Sequence, residues 1–168
     1  MIILNLHYAT KIASDLSYKI GKFVLITTMF AIFCGVVIQV FFRYILNQPL
    51  MFLSEFTAWT LVWAGYFGAS VALKTNEHIS LTLFINFFNN KILISLKLIA
   101  KLLLFLFIIC LIIYGFKQSF GNVAFSWAVG LRVMWANLGI PISAILMFFH
   151  LLYYIIDDIV SILKLNED

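Results

Sequence analysis

Apolar residues fall into four long stretches, and the polar residues between them gather in short clusters at their ends. The first 22 residues differ: Lys11, Asp15, Lys19 and Lys22 are interleaved with Ile12, Leu16 and Ile20 at helical spacing, the pattern of an amphipathic helix lying on a membrane. Residues 23–42 then run for 20 positions without a charge. As a helix this first span is about 30 Å long, the thickness of a bilayer's hydrocarbon. It is longer than a secretory signal core and no small-residue cleavage site follows it, so it is expected to stay as an anchor. Arg43 closes the span, and Asn47, Gln48 and Pro49 form a turn, because proline disfavours helix in the residue before it.

A second span is expected over 53–73, opening at Leu53 and Ser54 with Glu55 in its first turn, where a carboxylate complements the helix dipole. Lys74, Glu77 and His78 end it. Residues 79–90 mix Phe84, Phe87 and Phe88 with Ser80, Thr82, Asn86 and Asn89, too short and too polar to span, which predicts a helix lying in the interface. The third span covers 98–116, with Lys97 and Lys101 one turn apart so that both can snorkel to one surface. Gly121, Asn122, Ser126 and Gly130 mark a loop, and Trp127 and Trp135 are placed like interfacial belt residues. The fourth span covers 133–156. Pro141 within it lacks a backbone donor and should bend the helix or reset its start, and Asp157 and Asp158 stop it.

Composition narrows the picture to one all-α integral membrane domain over residues 1–168. Of the residues, 64% are hydrophobic and 11% charged, against about 45–50% and 25% in soluble domains. That apolar excess must face lipid or partner subunits. The net charge of +4 comes from cations at segment ends, not from one basic face, which argues against nucleic-acid binding. With the N-terminus inside, inner segments hold eight cations (Lys11, Lys19, Lys22, Lys74, Lys91, Lys97, Lys101 and Lys164) and outer segments three (Arg43, Lys117 and Arg132). The bias predicts both termini in the cytoplasm. Cys34 and Cys110 lie inside apolar stretches without a paired spacing, so neither a disulfide nor a metal site is expected.

Few residues suggest chemistry. Arg43 and Glu55 bracket the first outer loop, where they can pair with each other or with a second subunit, or serve as a snorkelling anchor and a helix-start carboxylate. On the second span Glu55, Trp59, Trp63, Tyr66 and Ser70 share one face, a surface for lipid or a partner. About 120° away Ala58, Gly65, Ala69 and Ala72, with Gly68 beside them, form a small-residue face of the small-xxx-small kind. Its simplest use is packing within the chain. His78 is either a proton carrier or a hydrogen-bonded anchor, and His150 takes the anchor reading. No haem ligand pair, redox cysteine pair, nucleotide motif, zinc motif or activated serine is present, so neither enzyme nor cofactor is expected. A stand-alone transporter would need an intramembrane acid, and Glu55 lies near a helix start with no second acid to support it.

Several of these features resemble the small, DctQ-type membrane subunit of TRAP (tripartite ATP-independent periplasmic) transporters. The resemblance rests on Arg43-Tyr44 ending the first span, Ser54-Glu55 opening the second, Trp63 with Gly68 and Ala72, and Glu77-His78 before an apolar segment. Leu138-Gly139-Ile140-Pro141 and Leu146-Met147 extend it into the fourth span. The third span matches only in hydrophobic pattern, and Ser80 and Thr82 stand where positive residues are usual. The resemblance implies an inner-membrane scaffold in sodium-driven uptake of small organic acids of the dicarboxylate or sialic-acid type. A periplasmic binding protein would deliver substrate, and a large M-type subunit would hold the substrate and ion sites and move like an elevator. Trp59, Trp63, Tyr66 and the small face, with Gly65, Gly68, Ala69 and Ala72, would form a boundary with that subunit or with lipid. Arg43 and Glu55 would hold the outer hairpin, and His78 is a motif position. No span follows Asn166, Glu167 and Asp168, which points to separate polypeptides. The rival readings are a homodimeric four-helix transporter and a structural subunit of a respiratory complex.

Overall fold

The computed structural model of the chain describes residues 2–75 and 90–165. Five helices make up almost all of it: α1 (Ile2–Tyr44), α2 (Met51–Thr75), α3 (Asn90–Gly121), the single turn α4 (Met134–Asn137) and α5 (Gly139–Leu165). Four of them, all but α4, are long and apolar enough to cross a membrane. Helix is what an apolar solvent requires, since lipid cannot bond exposed backbone groups. Hydroxyls within the spans satisfy themselves the same way. Thr28, Thr57, Thr60 and Ser119 each donate to the carbonyl four residues earlier, at 2.7–2.8 Å.

α1 passes without a break through residue 22, where the sequence pattern places the boundary between a surface helix and the first span. At 43 residues it is about 65 Å long, roughly twice the hydrocarbon thickness. No proline interrupts it, Gly21 beside that boundary packs against Val71 and Leu146, and its first half has α5 to lie against, so the helix continues. His78 and nearly all of the expected interfacial helix at 79–90 lie outside the described residues.

The turn between α1 and α2 is closed by a backbone bond across a left-handed residue. Asn47 takes a positive φ of 52°, and the Gln48 amide donates to the Phe42 carbonyl at 3.1 Å. α2 then begins at Met51, which leaves Glu55 as its fifth residue and past the first turn. At the other end of the chain, Pro141 resets the start of a helix instead of bending one. It sits third in α5, where its missing N–H is not needed.

The helices form a three-helix core of α1, α2 and α5 with α3 laid on the outer side of α5. Among the described residues the backbone of α5 approaches every other helix, whereas that of α3 comes close only to α4 and α5 and not to α1 or α2. α1 and α2 are antiparallel: Gln39 lies opposite Leu53, Gly35 opposite Thr57, and Gly21 opposite Val71. On α3, Ile108 packs against Met147 and Leu151, and Gly115 lies so close to Pro141 that a Cβ there would stand 3.0 Å from the proline ring. Most large apolar side chains outside these seams are exposed, including Phe23, Phe30, Phe33, Leu102, Leu103 and Phe107. The chain is therefore a thin apolar wall with a narrow core.

Candidate functional site: two polar seams and two open faces

At the end of the bundle that carries Glu55, a glutamine joins the first hairpin. Gln39 donates to the Leu53 carbonyl at 3.1 Å and to Thr57 Oγ1 at 2.8 Å, and accepts from Ser54 Oγ at 3.0 Å. Arg43 takes no part; its guanidinium lies over its neighbour Tyr44, 5.8 Å from the ring centre. Glu55 turns to the α3–α4 loop, where its carboxylate accepts from the Ser126 hydroxyl and, at 3.3 Å, from the Ala128 amide. Ser126 Oγ also accepts from the Val129 amide at 2.8 Å. Bonds from Ser126 N to Leu131 O and Val133 N to Ala124 O make the loop a small hairpin, turned at Gly130 with φ of 71°. The Trp127 side chain projects fully exposed from its tip.

At the opposite end, α1, α2 and α5 meet in a polar seam. Ser14, completely buried, bonds His150 Nδ1 at 2.8 Å and accepts from the Lys74 ammonium at 2.8 Å. Lys74 also pairs with Asp15 at 3.1 Å and stands 4.6 Å from the Tyr153 ring centre. Tyr154 donates to the Lys74 carbonyl at 2.9 Å, which supplies a partner to the exposed end of α2. Farther along, His7 bonds Asp157 at 2.9 Å and Lys101 pairs with Asp158. One lysine thus ties three helices together. The anchor reading of His150 agrees with its bond to Ser14.

Lys74 neutralises the carboxylate beside it, and no cluster of His, Cys, Asp or Glu able to hold a metal occurs among the described residues. Sequence reasoning named Glu55 but missed Gln39, Ser14, Lys74 and Ser126. A signal for part of this was present: His7, Ser14, Gly21, Thr28 and Gly35 recur every seven residues, a stripe of small and polar side chains that faces the partner helices.

The aromatic face of α2 is divided among several surroundings. Glu55 holds the loop, and Ser70 is completely buried. Trp59 and Trp63 border an apolar groove of about 350 Å³ together with Thr28, Leu131 and Trp135. Trp63 Nε1 donates to the Trp135 carbonyl at 3.1 Å, and its ring fills the space left by Gly139. Tyr66 instead borders a second cleft, shared with α3.

Among the described residues most of the small-residue face packs against nothing in the chain. Ala58, Gly65 and Ala69 are exposed, and nothing stands within 4 Å of where a Gly65 Cβ would be. Gly68, off to one side, does meet Leu25 of α1. α1 meets α2 at Thr57, Gly68 and Val71 and α5 meets it at Trp63, so among the described residues the small face at Ala58, Gly65 and Ala69 is left open.

These features together define a membrane-spanning subunit with little interior chemistry and open helix faces. Residues 32–161 match the family model described as "Tripartite ATP-independent periplasmic transporters, DctQ component", and the chain belongs to that family. It is accordingly a multi-pass inner-membrane component of a transporter, not an enzyme. The chain is 23% identical over 148 residues to the sialic acid TRAP transporter small permease protein SiaQ of Vibrio cholerae, covering 88% of this chain and 83% of that one. It is also 29% identical over 125 residues to the sialic acid TRAP transporter permease protein SiaT of Haemophilus influenzae, covering 73% of this chain. The match spans only a fifth of SiaT's length.

Proposed function

We propose that this chain is the stationary small subunit of a sodium-driven transporter that takes up small organic acids, with a large M-type subunit as its membrane partner. The exposed small-residue face of α2 carries this reading. In lipid, helices associate through close backbone approach, and a row of Ala58, Gly65 and Ala69 left open by the described residues of its own chain is suited to a helix from another subunit. The engagement of Glu55 by Ser126 and Ala128 supports the same view, because the carboxylate that a stand-alone transporter would require is holding a loop.

The named relatives favour sialic acids over dicarboxylates as substrate, delivered by a periplasmic binding protein. Both termini lie in the cytoplasm in this proposal, since the eight-to-three division of cations puts the Lys74 end inside and the Glu55 end outside. Arg43, exposed at that outer end, is available to the large subunit.

Co-expression with the large subunit tests the assignment. A complex of fixed stoichiometry is expected, and Gly65→Leu or Ala69→Leu should abolish it while leaving the isolated chain folded. Substrate-dependent uptake by the reconstituted chain alone would sink the scaffold reading and favour the homodimeric transporter.

A further inference from the structure

The cleft beside α3 is a second open feature, independent of the small-residue face. Because the backbone of α3 comes close to α5 and not to α2, a wedge-shaped gap of about 870 Å³ opens between α2 and α3, with Ile140 of α5 on its floor. Its lining changes along α3. Cys110 and Leu111 form an apolar end, and Tyr114, Lys117, Gln118 and Asn122 form a polar end near the Glu55 side of the bundle. Tyr66 of α2 faces them across the gap.

The polar end is cationic and has no counter-charge. Among the described residues no carboxylate lies within ion-pairing distance of Lys117. The hydroxyls of Tyr66 and Tyr114 and the amide of Gln118 have no hydrogen-bond partner there either. A gap open to the bilayer fills with whatever the bilayer supplies, because an empty apolar space forfeits its dispersion contacts. Here the supply must be apolar at one end and anionic at the other.

We infer that this cleft is a binding site for one anionic phospholipid, with an acyl chain along Cys110 and Leu111 and the headgroup phosphate on Lys117 and the Tyr114 and Gln118 side chains. An apolar transmembrane helix from a partner would cover the apolar wall but would leave the Lys117 ammonium without an anion, whereas a phospholipid brings an acyl chain and an anion together. Charge complementarity therefore favours lipid over protein. The bound lipid would fill the space between α2 and α3 and give α3 a second support besides α5.

Native mass spectrometry of the full chain in detergent, titrated with dioleoyl phosphatidylglycerol or dioleoyl phosphatidylcholine, tests this. One phosphatidylglycerol should bind at saturation, with phosphatidylcholine at least about tenfold weaker. Lys117→Gln should weaken phosphatidylglycerol about tenfold, Lys117→Arg should retain it, and Arg132→Gln, which removes a cation outside the cleft, should not change it. Equal affinity for the two lipids, undiminished binding by Lys117→Gln, or displacement by inorganic phosphate at equal concentration would each overturn the site. Loss of the lipid when the large subunit binds would also overturn it, by showing that a protein helix occupies the cleft.

Discussion

Replacing Glu55 separates a structural carboxylate from a transporting one. In Glu55→Ala the Ser126 hydroxyl, on a side chain only 5% exposed, and the Ala128 amide lose their acceptor together. Hydrogen bonds to a charged group contribute about 1.5–3 kcal/mol each, and the 3.3 Å bond belongs at the weak end. Their joint loss should cost about 3 kcal/mol of loop stability. At 1.4 kcal/mol per factor of ten, the Ala128 amide should then exchange its hydrogen roughly 100-fold faster. Glu55→Gln keeps an acceptor oxygen in place and should cost about 1 kcal/mol, or roughly fivefold. Hydrogen exchange on the detergent-solubilised chain reads both values directly. Unchanged exchange in Glu55→Ala would refute the loop-holding role. An uptake defect in Glu55→Gln as severe as in Glu55→Ala would show that the charge itself acts in transport.

Other substitutions test the helix seams. Lys74→Met removes a charge-assisted bond to buried Ser14, a half-exposed pair with Asp15 and the contact with Tyr153. It should destabilise the chain by about 2–3 kcal/mol in mixed-micelle unfolding, against less than about 1 kcal/mol for His7→Ala, whose partner Asp157 is about half exposed. Gly139→Ala would place a Cβ 2.8 Å from the Trp63 ring and should cost about 1–3 kcal/mol. Gly65→Ala, which meets nothing, should be neutral or stabilising by up to about 1 kcal/mol by the same measurement. Arg43→Glu should change the isolated chain's stability by less than about 0.5 kcal/mol, because the side chain is exposed. It should nevertheless reduce recovery of the large subunit in pull-down.

The limits of the sequence reading show in particular residues. The sequence offers Glu55 as a helix-start carboxylate or as a partner for Arg43 or a second subunit, but its partners are 71 and 73 positions away. No local pattern announces a contact of that range. The small face of α2 was easy to see, yet periodicity cannot say whether a stripe meets its own chain or another. That depends on where α1 and α5 settle. The seven-residue row from His7 to Gly35 is hidden among the charges of residues 11–22 in its first half and among apolar residues in its second, and lipid-facing and helix-facing positions carry similar residues in a membrane.

By itself the sequence determined the solvent, the number of crossings and the family. Long uncharged runs can be satisfied in lipid only as helices, and charges and turn residues must collect where those helices leave it. Only the tertiary structure decided the rest: that α1 continues as one helix, that Lys74 gathers three helices around Ser14, that Glu55 serves a distant loop, and that α3 stands apart from α2. These outcomes depend on which helices approach closely enough for side chains to meet. Hydrophobicity does not specify that choice where lipid and protein are equally apolar. Close fits such as Gly21 against Val71, Gly115 against Pro141 and Gly139 against Trp63 make it.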